Sequence, residues 1–147
     1  MSKQLKLKIV TPEKLILEEL VDQVTFPTTE GELTILPEHV ALIAGLASGD
    51  VVAHVGGEHV PMAVSGGFVE VKSVNGITEV AILADSADHV ADLTEEAIKQ
   101  AETKAEELKK QMDNKEQVDF EHFAAELERS LNRIKIADKW RTRKYRK

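Results

Sequence analysis

Leu5, Leu7 and Ile9 alternate with Lys6 and Lys8, the period-2 pattern of a strand with one face buried and the other in water. Thr11-Pro12 stops it, since proline has no N–H for a ladder. Val21 to Phe26 and Leu33 to Leu36 read as further strands, ending at Pro27 and Pro37. Val51 to Val55 and Val60 to Val64 flank Gly56-Gly57, while Phe68 to Val74 and Thr78 to Leu83 flank Asn75-Gly76. Asn-Gly suits the two positive φ angles of a type I′ hairpin. Short strands with a turn signal about every ten residues predict an antiparallel β-sandwich or flattened barrel.

Beyond Leu93 there is no glycine and no proline, and the period changes. Ala97, Ala101, Ala105, Leu108 and Met112 recur at three and four residues, with Thr94 placed to cap and Glu95 and Glu96 where a helix dipole favours anions. Asp113-Asn114-Lys115-Glu116-Gln117 breaks the pattern. Asp119 then caps a second helix with the stripe Phe120, Phe123, Leu127, Leu131, Ile134 and Ala137. The expected organisation is a sandwich domain over residues 1–87, then a helical hairpin over 88–147 with helices at about 94–112 and 119–140. The first stripe is mostly alanine and buries little area per turn, so the hairpin is expected to pack weakly and detach readily.

Composition narrows the chemistry. The absence of cysteine excludes disulfides, thiolate catalysis and Cys-ligated zinc. The first residues show no apolar signal region, and Val40 to Ala47 falls far short of the roughly 20 residues needed to cross a bilayer, so a cytosolic chain is expected whose membrane association runs only through a partner. The net charge of −7 is unevenly spread: Asp85 to Glu128 holds fourteen acids against five lysines, whereas Arg129 to Lys147 holds nine basic residues and one acid, Asp138.

No phosphate-cradling loop, nucleophile elbow or HExxH motif is present. A turn at Gly56-Gly57 sets His54 opposite His59, but zinc needs three or four ligands and Glu58 lies on the other face, so a solvent-facing pair is expected, and neither metal nor cofactor. Ser65-Gly66-Gly67 reads as a bulge or tight corner and not as an anion nest.

Three stretches in series, Gly31 to His39 (GELTILPEH), Ala63 to Val71 (AVSGGFVEV) and Val80 to Asp85 (VAILAD), closely resemble the epsilon subunit of bacterial F-type ATP synthases, called delta in mitochondria. The resemblance covers the sandwich and continues, less specifically, through the hairpin. It implies a non-catalytic central-stalk subunit that turns with gamma on the ring of c subunits, at the cytoplasmic face of the bacterial plasma membrane. The turn at Glu30, Gly31 and Glu32 would reach the c-ring, and the segment around His39 would face gamma. The resemblance also implies regulation, with the hairpin extending along gamma into the catalytic head of alpha and beta subunits and hindering hydrolysis. The regulatory tail would be Lys139, Arg141, Arg143, Lys144, Arg146 and Lys147, six cations among nine residues.

Some members of that family bind ATP through Ile or Leu, Asp, two variable residues, Arg and Ala. Here Leu93-Thr94-Glu95-Glu96-Ala97-Ile98 stands in that place without the Asp or the Arg, so ATP binding is expected to be weak or absent. Two other readings fit the residues: an adaptor that shares only the architecture, and a nucleic-acid binder using the aromatic, basic tail. The acidic remainder of the chain argues against nucleic acid.

Overall fold

β1 (Leu5–Val10) buries Leu5, Leu7 and Ile9 and leaves Lys6 and Lys8 half-exposed, as the alternation requires. The computed structural model describes residues 3–113 and 120–147. β1 pairs antiparallel with β2 (Leu15–Val21), a strand the hydrophobic pattern did not reveal. In β2 Leu15, Ile16 and Leu17 run together and Leu20 is followed by Val21, so no period-2 signal stands out. Val21, expected to open the next strand, instead ends β2.

The chain continues as β3 (Gln23–Thr28), β4 (Gly31–Ile35), β5 (Leu42–Gly45), β6 (Gly49–Val55), β7 (Glu58–Val74) and β8 (Ile77–His89). The spatial order is β2-β1-β8-β7-β6-β3-β4, with β5 also on β7. β1 and β8 run parallel, so the expected antiparallel barrel carries one parallel seam. These two strands come from opposite ends of the sandwich sequence, and no hairpin dictates their direction.

The two strands expected at Val60–Val64 and Phe68–Val74 are one continuous β7. β8 accompanies it on one edge from Met62 to Val74, whereas the other edge pairs with β6 up to Val64 and with β5 from Phe68. The change of partner falls at Ser65-Gly66-Gly67, where β7 turns the corner from one layer to the other. Gly67 has φ 123°, and a Cβ there would lie 2.0 Å from the Leu83 carbonyl oxygen. The corner thus needs glycine for both its backbone angle and its close approach. Between the layers lie Leu5, Leu7, Ile9, Phe26, Ile35, Met62 and Ile82, all fully buried. The Asn75-Gly76 turn has φ 51° and 79°, matching the expected hairpin.

A 3-10 turn at Val90–Asp92 leads to α1 (Glu95–Asp113). The Thr94 hydroxyl accepts from the Ala97 N–H at 3.2 Å, the expected cap. Ala101, Ala105 and Leu108 are buried. Residues 114–119, including the expected cap Asp119, lie outside the described residues. α2 (Phe120–Trp140) departs from its expected single stripe. Leu131 is exposed, while Asn132, Ile136 and Trp140 are buried. The helix has two contact faces, one toward α1 and one toward β6 and β7, and a stripe drawn for one partner misplaces residues that serve the other.

Candidate functional site

Glu30, Gly31 and Glu32 are exposed at the β3–β4 turn. Its shape is fixed locally: the Thr28 hydroxyl donates to the Gly31 carbonyl at 2.5 Å and accepts from the Glu30 N–H at 3.2 Å, and Gly31 adopts φ 121°. The neighbouring Thr29 N–H donates to Gly45 O at 3.1 Å, which ties the turn to the end of β5. Two carboxylates are thereby held outward on a braced loop.

His39 lies in the loop that leads into β5, with Nδ1 2.8 Å from the Val40 carbonyl. Glu38 has φ 70°; its N–H donates to the Thr78 hydroxyl at 2.7 Å and its carboxylate pairs with Lys3. β5 therefore spans from the His39 loop to the Glu30 turn, ~13 Å at the usual strand rise.

Sequence reading missed what lies beside that span. Phe68 stands directly opposite Leu83, and Ile43 opposite Glu70, so the alternation of the strands puts Ile43, Phe68 and Leu83 on one outer face. Ile43 is 73%, Phe68 63% and the adjoining Val40 74% exposed. The signal was present in parity. Phe68 shares its face with Glu70 and Lys72, and Leu83 with Glu79 and Asp85, so each is an apolar residue in a polar position.

The second candidate surface is the tail, and it is docked. Lys139 Nζ and Trp140 Nε1 both donate to Asp50 Oδ2 at 2.8 Å. Arg146 meets both oxygens of Glu19 at 2.8 Å, and its N–H donates to His59 O at 2.8 Å. Glu19, with Glu58 contributing less, holds the Arg146 pKa above its ordinary value. Arg141 pairs with Asp138 at 3.4 Å, Arg143 lies 5.8 Å from the Trp140 ring centre, and Lys147 lies 5.9 Å from that of Tyr145. Lys144 is exposed, on the wall of a hollow shared with Arg141, Arg143 and Lys147.

The histidine pair departs from the solvent-facing reading. His54 and His59 face each other at 4.5 Å, but His59 packs edge-on against Trp140 at 5.8 Å and both imidazoles are half-buried. Trp140, 3% exposed, is a seat for the tail that a sequence scan takes for a basic end. No group of three or more metal-ligating side chains occurs among the described residues.

Along α2, Asn132 Nδ2 donates to Gly49 O at 3.2 Å and Val64 O at 2.9 Å, and Arg133 Nε donates to Asp88 at 2.8 Å. Ala97, in the place of the family's ATP-motif arginine, lines a hollow of about 430 Å³ together with Asp88, Asp92 and Arg133. The one arginine there already serves Asp88.

The arrangement defines a class: an interaction protein with a corner-turned β-sandwich, an outward apolar face and a helical hairpin folded back on it. Residues 4–90 match the model of the ATP synthase delta/epsilon chain beta-sandwich domain. The ATP synthase epsilon chain of Desulforamulus reducens is 37% identical over 139 residues, 94% of this chain and 100% of that one. That of Nitratidesulfovibrio vulgaris is 38% identical over 136 residues, 92% and 97% of the two chains. A chain in the cryo-EM structure of the Euglena gracilis mitochondrial ATP synthase, OSCP/F1/c-ring in rotational state 1, superposes with a TM-score of 0.67 at 25% identity, over 88% of this chain and 78% of that one. The chain belongs to the ATP synthase epsilon chain family.

Proposed function

We propose that the chain is a non-catalytic rotor subunit of a proton-translocating ATP synthase, whose sandwich joins gamma to the c-ring and whose hairpin restrains ATP hydrolysis when it leaves the sandwich. The observation that carries the coupling role is the outer face formed by Ile43, Phe68 and Leu83. An exposed apolar face beside the His39 loop suits a permanent protein partner, which is the place of gamma. The Glu30 turn, one β5 length away, suits the polar loops of the ring. Membrane association would follow from the complex; among the described residues no helix is long and apolar enough to cross a bilayer.

The braking role is supported by the ion pairs that ring the hairpin's seat, around the small apolar contact of Ile136 and Trp140 with Ala63 and Val90. Asp50, Asp88 and Glu19 hold Lys139, Arg133 and Arg146 through contacts that are partly exposed, and such contacts exchange readily for other carboxylates. An acidic surface on beta in the catalytic head would compete for the same cations. Lys139, Arg141 and Arg146 already have carboxylate partners in the docked form, so extension gains only the difference between the two sets of pairs. The same pairing reduces the charge left for nucleic acid. Weak or absent ATP binding remains part of the proposal.

The experiment is purification of the native complex with Phe68→Asp in place of the natural chain. The expected result is loss of the chain from gamma-containing complexes while the isolated domain stays folded. Undiminished assembly would contradict the proposed gamma face.

A further inference from the structure

We infer that the ring stack of His54, His59, Trp140 and Tyr145 is an acid-sensitive seat for the C-terminal tail, closed when the His54 imidazole is neutral and opened when it takes up a proton. The inference rests on the hairpin being movable, as proposed above, and adds what controls its release.

The stack is continuous. His54 and His59 are register partners across β6 and β7, their rings 4.5 Å apart and edge to face. His59 meets Trp140 at 5.8 Å, and Trp140 meets Tyr145 at 6.0 Å, again edge to face. Two elements of the sandwich and two points of the tail are thus joined through four rings, and Arg146 N–H to His59 O closes the backbone over them at 2.8 Å. Edge-to-face contact suits the ring quadrupoles, and the close His54–His59 pair disfavours a charge on His54.

The charges around the stack are arranged unequally. On the sandwich side Asp22 lies nearest to His54; its carboxylate accepts from Gly56 N–H at 2.9 Å and from the Gln4 side chain at 3.3 Å. Glu58 flanks His59 in the turn, and Glu19 is committed to Arg146. From the tail come Arg143 and Lys139, each 5.8 Å from the Trp140 ring centre, with Asp50 holding Lys139, while Arg146 and Lys147 lie beyond. Asp22 is the carboxylate that favours a proton on His54, whereas Glu19 and Asp50 are committed to Arg146 and Lys139. The cations gathered around Trp140 and Tyr145 are on the part that can leave.

Burial foremost, and then the facing His59 ring, holds the His54 pKa below the ordinary histidine value, against the opposing pull of Asp22. A ring whose proton affinity is depressed by docking favours the docked form above its ordinary pKa of about 6.5 and loses that preference as pH falls through the depressed value. Each pK unit of depression shifts the ratio of released to docked tail by up to about tenfold.

Trp140 is the only tryptophan of the chain and reports directly on the seat. The test uses the isolated full-length protein, titrated from about pH 8 to about pH 5 across the histidine range. The readouts are acrylamide quenching of Trp140, far-ultraviolet circular dichroism for the sandwich, and the histidine ring resonances by NMR. Quenching is preferred to fluorescence intensity, because a protonated imidazole beside an indole alters intensity without any movement. Trp140 becomes accessible in step with the His54 ring titration, while the β-sheet signal persists. His54→Gln, which leaves the His59–Trp140 contact in place, flattens the acid response. Asp22→Asn removes the acid that favours a charged His54 and strengthens the response.

Equal acid responses in the wild type and His54→Gln would overturn the inference. So would a Trp140 that stays shielded until the β-sheet signal is lost, or a His54 resonance that titrates without any change at Trp140; this last observation needs no variant. Because these readings come from the isolated chain, an absent brake in the enzyme would refute the regulatory proposal without touching the titration.

Discussion

Arg146 grips Glu19 through both terminal nitrogens, Nη1 to Oε1 and Nη2 to Oε2, each at 2.8 Å, although 127 positions separate the two residues. The second to last residue of the chain is thereby fastened to β2 in the sandwich, and everything between β8 and the C-terminus is closed into one loop. Arg146→Ala should loosen the tail by about 1 kcal/mol, the amount expected of a bidentate pair that is one-third exposed. Raised acrylamide accessibility of Trp140 with unchanged urea unfolding of the sandwich is the predicted pattern. In a double-mutant cycle with Glu19→Gln the second substitution should add little. Full additivity would mean that the two residues act separately.

Asn132, buried on α2, bonds the sandwich backbone, its side-chain amide donating to the carbonyl oxygens of Gly49 and Val64. Asn132→Ala removes the hydrogen bonds those carbonyls receive from the helix, at a cost of about 1–2 kcal/mol of docking. Amide exchange in α2 should accelerate while exchange in β1 and β8 stays slow. Equal acceleration everywhere would mean that hairpin and sandwich unfold as one unit.

At the corner of β7, Gly67→Ala places a Cβ against the Leu83 carbonyl and should destabilise the sandwich by more than about 4 kcal/mol, as read by urea denaturation. Gly76→Ala is the control. Its φ is also positive, but nothing lies within 4 Å of the added Cβ, so a loss of about 1 kcal/mol is expected. Similar losses at both sites would remove the steric account of the corner.

The contrast between these two glycines also explains what the sequence could reveal. Asn75-Gly76 is a local turn whose chemistry lies within two residues, and it was legible, as were the alternation of Leu5, Leu7 and Ile9 and the Thr94 cap. β2 was hidden because Leu15-Ile16-Leu17 does not alternate. The continuity of β7 was hidden because Gly66 and Gly67 look like a break, and only the approach of Leu83 makes them a corner. The Glu30 turn and the His39 loop are singled out by resemblance alone, whereas the apolar face between them needed only the parity of Phe68 and Leu83 among charged neighbours. The tail's seat was out of reach. Asp50, Glu19 and His59 acquire Lys139, Arg146 and Trp140 by long-range folding, and no spacing in the sequence records those pairs.

At the first turn of α1, Ala97 offers no donor to a phosphate, and Arg133 is engaged by Asp88. Calorimetric titration of the isolated protein should therefore show no binding at micromolar ATP. A dissociation constant in the low micromolar range would contradict this and would direct attention to other basic groups at the hollow, such as Lys104.

The division of labour between sandwich and hairpin is tested most directly by reconstituting the native enzyme with either the full chain or residues 1–92, which keep β8 and the 3-10 turn whole. ATP hydrolysis and ATP-driven proton pumping are then measured side by side. The account predicts that the shortened chain assembles with gamma and the c-ring and supports pumping, while hydrolysis runs several-fold faster than with the full chain. Failure of the shortened chain to assemble, or identical hydrolysis rates in the two complexes, would contradict it.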